Sequence, residues 1–135
     1  LQEDVEVDEQ APAVAGRQPS NVRLLANGEL CAELVVIDGL MEEAVEALAE
    51  LKLVLARIQA ATLDALPLEM RTPCDLAMNV HAADRALRFG LPVQERSEGR
   101  SQSLVDFSTD FEVDDAMFAL PAEFARRPMF APGAI

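Results

Sequence analysis

One apolar stripe, between Met41 and Ala65, constrains the fold of this chain more than any other feature of its sequence. Its members follow one another at alternating spacings of three and four, which is the heptad pattern of a helix that packs along a seam. The neighbouring heptad position is apolar as well, so the stripe is wide and predicts a helix over about 39–66 that packs against more than one neighbour. The seam holds Met41, Ala44, Leu48, Leu51, Leu55, Ile58, Thr62 and Ala65, and the neighbouring position holds Leu40, Ala47, Val54 and Ala61.

A second helix is predicted over 73–89. Thr72 is a good N-cap, Pro73 suits the first helical position, and Asp75 lies three residues after the cap. Gly90 is typical of the residue that ends a helix. The two helices are joined by only a few residues, which favours an antiparallel helical hairpin.

The segment 22–37 contains Asn27-Gly28 between two apolar runs, which is a strong signal for a β-hairpin with a two-residue turn. The alternative is that Glu29–Ile37 is already helical, since Glu, Leu and Ala are good helix formers. An isolated hairpin is only marginally stable, so this one would need a neighbour to pack on. A two-residue turn predicts the cross-strand pairs Leu25–Leu30 and Arg23–Ala32.

The sequence therefore predicts a mainly α fold: an antiparallel helical hairpin core with a small β-hairpin and extended N- and C-terminal arms. The segment 1–20 is acidic and contains prolines and glycine, which is typical of a flexible arm. The helical-hairpin domain covers 21–92. A polar linker follows over 93–103, and 104–135 forms a final segment rich in phenylalanine.

This final segment, which we call the strap, is predicted to bind partner proteins. Its phenylalanines alternate with acidic residues and are interrupted by prolines, so the strap is not expected to build a core of its own. Aromatic side chains of this kind anchor an extended segment in pockets of another surface, in the same chain or in another. The predicted partner-binding residues are Phe107, Phe111, Phe118, Phe124 and Phe130 of the strap, with Leu40, Ala47 and Val54 of the first helix.

The charge balance limits the classes of partner. With 24 acidic and 11 basic residues the formal net charge is −13, which disfavours direct binding to nucleic acid or to an anionic membrane. The chain has no Trp and no Tyr, so a carbohydrate or nucleobase pocket lined by aromatic rings is disfavoured too. No apolar stretch is long enough for a transmembrane helix. We expect other protein subunits as partners, in a homo- or hetero-oligomer.

No catalytic, cofactor-binding or metal-binding residue is predicted. Cys31 and Cys74 are too few and too far apart for a disulfide framework or a zinc site, and we expect them to be reduced and buried. His81 shares a helix face with Asp84, and Cys74 lies about two turns away, but this spacing is common by chance on an acidic helix. We expect His81 to be a surface residue without a chemical role.

The predicted function is a non-catalytic structural or adaptor subunit of a larger protein assembly, with a virion or similar particle as one example. The alternative is an acidic regulatory or inhibitory protein that binds a basic partner by mimicking nucleic acid. We expect the protein to be soluble, in a reducing compartment or an assembled particle rather than secreted. The chain begins at Leu1 rather than Met, which predicts a processed or trimmed product.

Overall fold

The structure is a computed structural model that describes residues 1–9, 13 and 16–127. Its central element is a five-stranded antiparallel sheet in which the spatial order of the strands follows their order in the chain. Each strand therefore pairs with the strands next to it in sequence. The strands are β1 (Glu3–Asp8), β2 (Ser20–Ala26), β3 (Glu29–Ile37), β4 (Leu91–Ser97) and β5 (Arg100–Ser103).

All of the longer helical structure lies between β3 and β4. The helix α1 covers Glu42–Asp64 and is followed by a 3-10 turn at Leu68–Met70. A broken helical stretch comes next, which we call the second helical segment. It consists of α2 (Pro73–Leu76), a π-helical part (Ala77–His81) and a 3-10 part (Arg85–Phe89). This segment packs against the sheet, and α1 packs mainly against the segment, so α1 is the outermost layer.

The prediction of a mainly α fold with a helical-hairpin core is wrong, because the core of the molecule is the sheet and its helical cover. The largest buried cluster belongs to alternating residues of β2 and β3, which project from one face of the sheet. Residues of the second helical segment cover this face. The cluster contains Val22, Leu24, Ala32, Leu34 and Val36, with Met78, Ala86 and Phe89 packed against it.

The hairpin at Asn27-Gly28 is present, as β2 and β3, and both turn residues have the positive φ of a type I′ turn (50° and 78°). The pair Leu25–Leu30 is confirmed. Beyond it a β-bulge shifts the register, so that Arg23 lies opposite Glu33 instead of Ala32. A bulge places two residues of one strand opposite one of its partner, which a two-residue periodicity cannot reveal.

Both segments that were predicted to lack structure contain strands. The predicted arm, 1–20, contains β1, which pairs along its whole length with β2. The predicted linker, 93–103, lies in β4 and β5, which form a second hairpin beside β3. Polar residues predominate in these strands, and they are held by main-chain pairing at the two sides of the sheet rather than by an apolar face of their own.

The prediction that the two cysteines are reduced is also wrong. Cys31 and Cys74 form a disulfide, with their Cα atoms 5.3 Å apart, and the chain has no free cysteine. Cys31 occupies the bulge of β3, which lets it and the next residue, Ala32, both lie buried. The disulfide joins β3 to α2 and packs beside Ala26 and Ala77. The argument from reduced cysteines for a reducing compartment therefore does not hold.

The second helical segment begins and ends where predicted but is not one helix. The Thr72 hydroxyl accepts a hydrogen bond from the Asp75 amide (3.0 Å), as expected of an N-cap. From Ala77 the hydrogen-bonding pattern changes to π and then, from Arg85, to 3-10. Gly90 follows directly and leads into β4.

Candidate interaction surface

The outer face of α1 carries a row of large apolar side chains that the described part of the chain leaves uncovered. Leu48, Leu51 and Leu55 are 42%, 51% and 39% exposed, and Ile58 is half-buried. Val54, on the neighbouring heptad position, is 52% exposed, and Ala47 is exposed as well. The heptad spacing is present along the helix, but the described part of the chain does not bury the large side chains of this seam. We call Leu48, Leu51, Leu55 and Ile58, together with the adjoining Ala47 and Val54, the α1 seam.

A different row of α1 makes the contact with the rest of the chain. Ala56 and Leu63 are buried, while Val45, Ala49 and Ala60 are half-buried and lie on the same side of the helix. Val45 and Ala49 share a recess with Leu87 of the second helical segment. Mostly small side chains let the two helical layers approach closely. The helix thus has two apolar rows, and the row of large residues is the one that remains free.

Charged residues on α1 differ between its two halves. Glu43, Glu46 and Glu50 are exposed, and all three lie in the N-terminal half. The basic residues Lys52 and Arg57 lie in the C-terminal half and are exposed too. The acids of the first turn, Glu42 and Glu43, are favourable for the helix dipole, whereas the last turn holds no basic residue. The order of charges gives the outer surface of the helix a negative end followed by a basic stretch.

The strap is the second exposed apolar surface. Phe107, Phe111, Phe118 and Phe124 are 40%, 68%, 79% and 64% exposed. Phe130, the fifth predicted anchor, lies outside the described residues. The main chain of the strap is turned locally: a 3-10 turn covers Asp115–Phe118, and the Phe124 amide donates to the Pro121 carbonyl (3.1 Å). These local turns leave the rings facing solvent.

The structure brings the start of the strap next to α1. Leu104 donates its amide to the Val93 carbonyl (2.8 Å), which extends the β4–β5 hairpin by one bond. Leu40 and Phe107 line one small recess together with Leu104, and Leu104 also lines a recess with Leu48 of α1. The α1 seam and the start of the strap therefore adjoin, with Leu40 between them, and we call the seam and the strap together the apolar region. Ala47 and Val54 lie farther along α1.

The face of the sheet opposite the helices is polar, and the sequence analysis did not single it out. A row of alternating charge crosses four strands, through Glu6, Arg23, Glu33 and Arg96. Arg23 lies 2.7 Å from the Glu6 carboxylate and 3.5 Å from that of Glu33. The row lies in a shallow depression of about 530 Å³. The alternation of valines and acids over Glu3–Asp8 is the pattern of a strand and could have revealed β1, but the sequence analysis assigned this segment to a flexible arm.

Cys74, His81 and Asp84, which the sequence places near one another on a predicted helix, have different surroundings in the structure. His81 is exposed at the end of the π-helical part, and Cys74 is in the disulfide. Asp84 accepts two hydrogen bonds from the Arg88 guanidinium (2.8 and 3.3 Å), and these lower the pKa of the Asp84 carboxyl below its ordinary value. In the strap, the Ser108 hydroxyl donates to Asp110 (2.6 Å) and lowers the pKa of that carboxyl.

Within 1–9, 13 and 16–127, no three or more His, Cys, Asp and Glu side chains are grouped so that they could hold a metal ion. In the same part of the chain, no helix combines the length and the apolar character needed to cross a membrane.

Comparison of the chain with protein-family models, with curated proteins and with solved structures finds no match.

Proposed function

We propose that the chain is a non-catalytic structural or adaptor subunit of a larger protein assembly, in which neighbouring subunits cover the α1 seam and the strap. The observation that supports this proposal is the exposure of large apolar side chains on these two surfaces, which adjoin at the start of the strap. Exposed apolar patches of this kind mark protein-binding surfaces in folded proteins.

The free energy involved is considerable. Fully burying one Leu or Phe side chain stabilises a protein or complex by about 1.5 to 3 kcal/mol. The large side chains of the seam are up to about half exposed, and Phe111, Phe118 and Phe124 of the strap are more than half exposed. Acidic residues separate the phenylalanines of the strap, and an acid loses little if it stays at a solvated rim while the ring beside it is buried. The strap is therefore suited to lie across a neighbouring subunit with its rings in pockets.

A virion or similar particle is one example of an assembly in which neighbouring subunits hold extended segments of this kind. The alternative function, mimicry of nucleic acid, remains a prediction from the net charge of −13. A mimic of nucleic acid would present a continuous row of acidic side chains to the basic site of its partner. On the open face of the sheet the acids alternate with Arg23 and Arg96, so this face does not present such a row.

The proposal is tested by measuring the mass of the complex that contains the chain in the cells that make it. We expect the tagged chain to sediment in a species several times larger than its own 14.6 kDa, with its other components at fixed molar ratios. Replacing Phe118 and Phe124 by Ser should reduce the mass of that species. The matched control is Leu68→Ser, because Leu68 is 76% exposed but lies outside both surfaces.

The proposal fails if the wild-type chain sediments at the mass of a single chain. If the species is large and the double variant assembles as well as the wild type, the role assigned to the strap is wrong. Circular dichroism of each variant establishes that its fold is intact.

A further inference from the structure

The spacing of the apolar residues in the α1 seam indicates which kind of partner can pack on it. Leu48, Leu51, Leu55 and Ile58 follow one another at spacings of 3, 4 and 3, and each layer of such a seam is filled by a matching layer of a facing helix. The helix is 23 residues long, or about 34 Å at the usual rise of an α-helix. The inner row of α1 already packs on the second helical segment, so the seam requires another long helix with the same period. A second copy of α1 has that period.

We propose that two copies of this chain associate through their α1 seams, with the two helices antiparallel. The proposal rests on the function proposed above and names one of the neighbouring subunits as a second copy of the chain. It gives a two-fold symmetric contact, which is the commonest way in which identical chains associate.

The seam is self-complementary in this orientation. If the two-fold axis crosses the seam at the level of Leu53 along the helix, seam residues equally distant from that level face each other. Leu51 then faces Leu55 of the second copy, and Leu48 faces Ile58 of the second copy. One layer farther out, Ala44 faces Thr62 of the second copy. Every layer pairs an a position with a d position, as antiparallel helices require, and this register overlaps the whole helix.

The charges beside the seam favour the antiparallel orientation. Glu50 and Arg57 occupy equivalent heptad positions at the edge of the apolar stripe, and both are exposed. In the antiparallel pair, Glu50 of each copy lies within about one residue of the level of Arg57 of the other. A parallel pair would carry the two copies of Glu50 to opposite sides of the interface, and so would not bring Glu50 of one copy beside Arg57 of the other.

At the ends of the helix the antiparallel pair brings like charges together, and an ion pair within each chain offsets part of this repulsion. The antiparallel register places Glu43 near Asp64 of the second copy. Asp64 is paired with Arg71 of its own chain (3.9 Å), which offsets part of its charge, and its side chain is 83% exposed to screening solvent.

Sedimentation equilibrium of the purified full chain tests this inference. We expect the average mass to rise toward twice 14.6 kDa as the chain concentration increases from about 1 µM to about 1 mM, a range that covers weak and moderate interfaces. Leu51→Asp should raise the dimer dissociation constant by at least about ten-fold, since a charge would enter the central layers. Leu53→Asp is the matched control: Leu53 is similarly exposed (47% against 51%) but lies opposite the seam, so its dimer constant should not change.

Charge reversal tests the orientation. Glu50→Arg and Arg57→Glu should each weaken the dimer by about three- to ten-fold, and the double variant should recover the wild-type constant. Failure of the double variant to recover would exclude the antiparallel pair. A chain that stays monomeric up to about 1 mM would overturn the proposal outright. A monomeric purified chain that is nevertheless found in a large species in cells would leave the assembly function standing and remove only the second copy of α1 as its partner.

Discussion

Arg85, in the 3-10 part of the second helical segment, donates hydrogen bonds from both terminal guanidinium nitrogens to the carbonyl oxygen of Leu25 on β2 (3.3 and 3.2 Å). Leu25 adjoins the β-bulge in the β2–β3 pair. The contact ties the helical cover to the sheet at the point where the ladder is irregular. Arg85 is only 4% exposed, and within the described residues its Nε has no hydrogen-bond partner.

Replacing Arg85 tests whether these hydrogen bonds outweigh the cost of burying the guanidinium. Arg85→Met keeps most of the side-chain volume and leaves the Leu25 carbonyl without these donors, so we expect the free energy of unfolding to fall by about 1 to 3 kcal/mol. Arg100→Met, on the exposed strand β5, should change it by less than about 0.5 kcal/mol. Urea denaturation measures both. Equal, small effects would mean that desolvation of Arg85 cancels its hydrogen bonds.

Gly90 should tolerate no side chain. Its φ is +129°, and a Cβ at this position would overlap the Ile37 carbonyl and lie 2.7 Å from the Asp38 nitrogen. Gly90→Ala should therefore lower the free energy of unfolding by about 2 to 5 kcal/mol through backbone strain and overpacking. The control is Gly99→Ala, where φ is +68° but no atom lies within 4 Å, so strain alone should cost about 1 to 2 kcal/mol. Thermal unfolding of both variants would show whether the close approach matters.

Reducing the Cys31–Cys74 disulfide should lower the free energy of unfolding by roughly 2 to 4 kcal/mol, because the link closes a loop across a sequence separation of 43 and restricts the unfolded chain. Denaturation with and without a thiol reductant measures this. In a variant with both cysteines replaced by Ala, the reductant should have no effect. If the wild-type chain is equally stable with and without reductant, the link between β3 and α2 contributes nothing to stability.

The Asp84–Arg88 pair should make a small, pH-dependent contribution. Folding lowers the pKa of Asp84, so the pair stabilises the protein above the ordinary carboxyl pKa of 3.8, and this stabilisation is lost as the pH falls through the lowered value. Since Arg88 is 58% exposed, Asp84→Asn should cost less than about 1 kcal/mol at neutral pH. Urea denaturation at a series of pH values should show the difference between wild type and variant shrinking in acid. A difference that stays constant with pH would contradict the assignment.

The sequence was sufficient to find α1 and the β2–β3 hairpin, because each has a strong local signal. It was not sufficient to orient α1. Periodicity identifies apolar rows without saying which neighbour covers each of them, and α1 has two. The large residues such as Leu51 suggested the core, whereas the small residues Ala49 and Ala56 allow the close approach that the chain uses.

The remaining errors have a common physical origin. β1 and β5 consist mainly of polar residues, and their stability comes from main-chain pairing with strands that the sequence does not identify as neighbours. The disulfide depends on a bulge at Cys31 and on the position of Cys74 in space, and neither follows from their spacing in the chain. The strap was located by its phenylalanines, four of which are exposed, and its role in binding stays a prediction.

Side-chain footprinting with hydroxyl radicals tests most directly whether neighbouring subunits cover the apolar region. The measurement compares oxidation of Leu51, Leu55 and Phe118 in the isolated chain, at a concentration low enough to keep it monomeric, and in the complex recovered from cells. We expect several-fold protection of all three in the complex. Leu24, which is fully buried, should react weakly in both states, and the exposed Leu68 should react strongly in both. Equal oxidation of Leu51, Leu55 and Phe118 in the two states would show that the region stays open to solvent and would contradict the proposed assembly function.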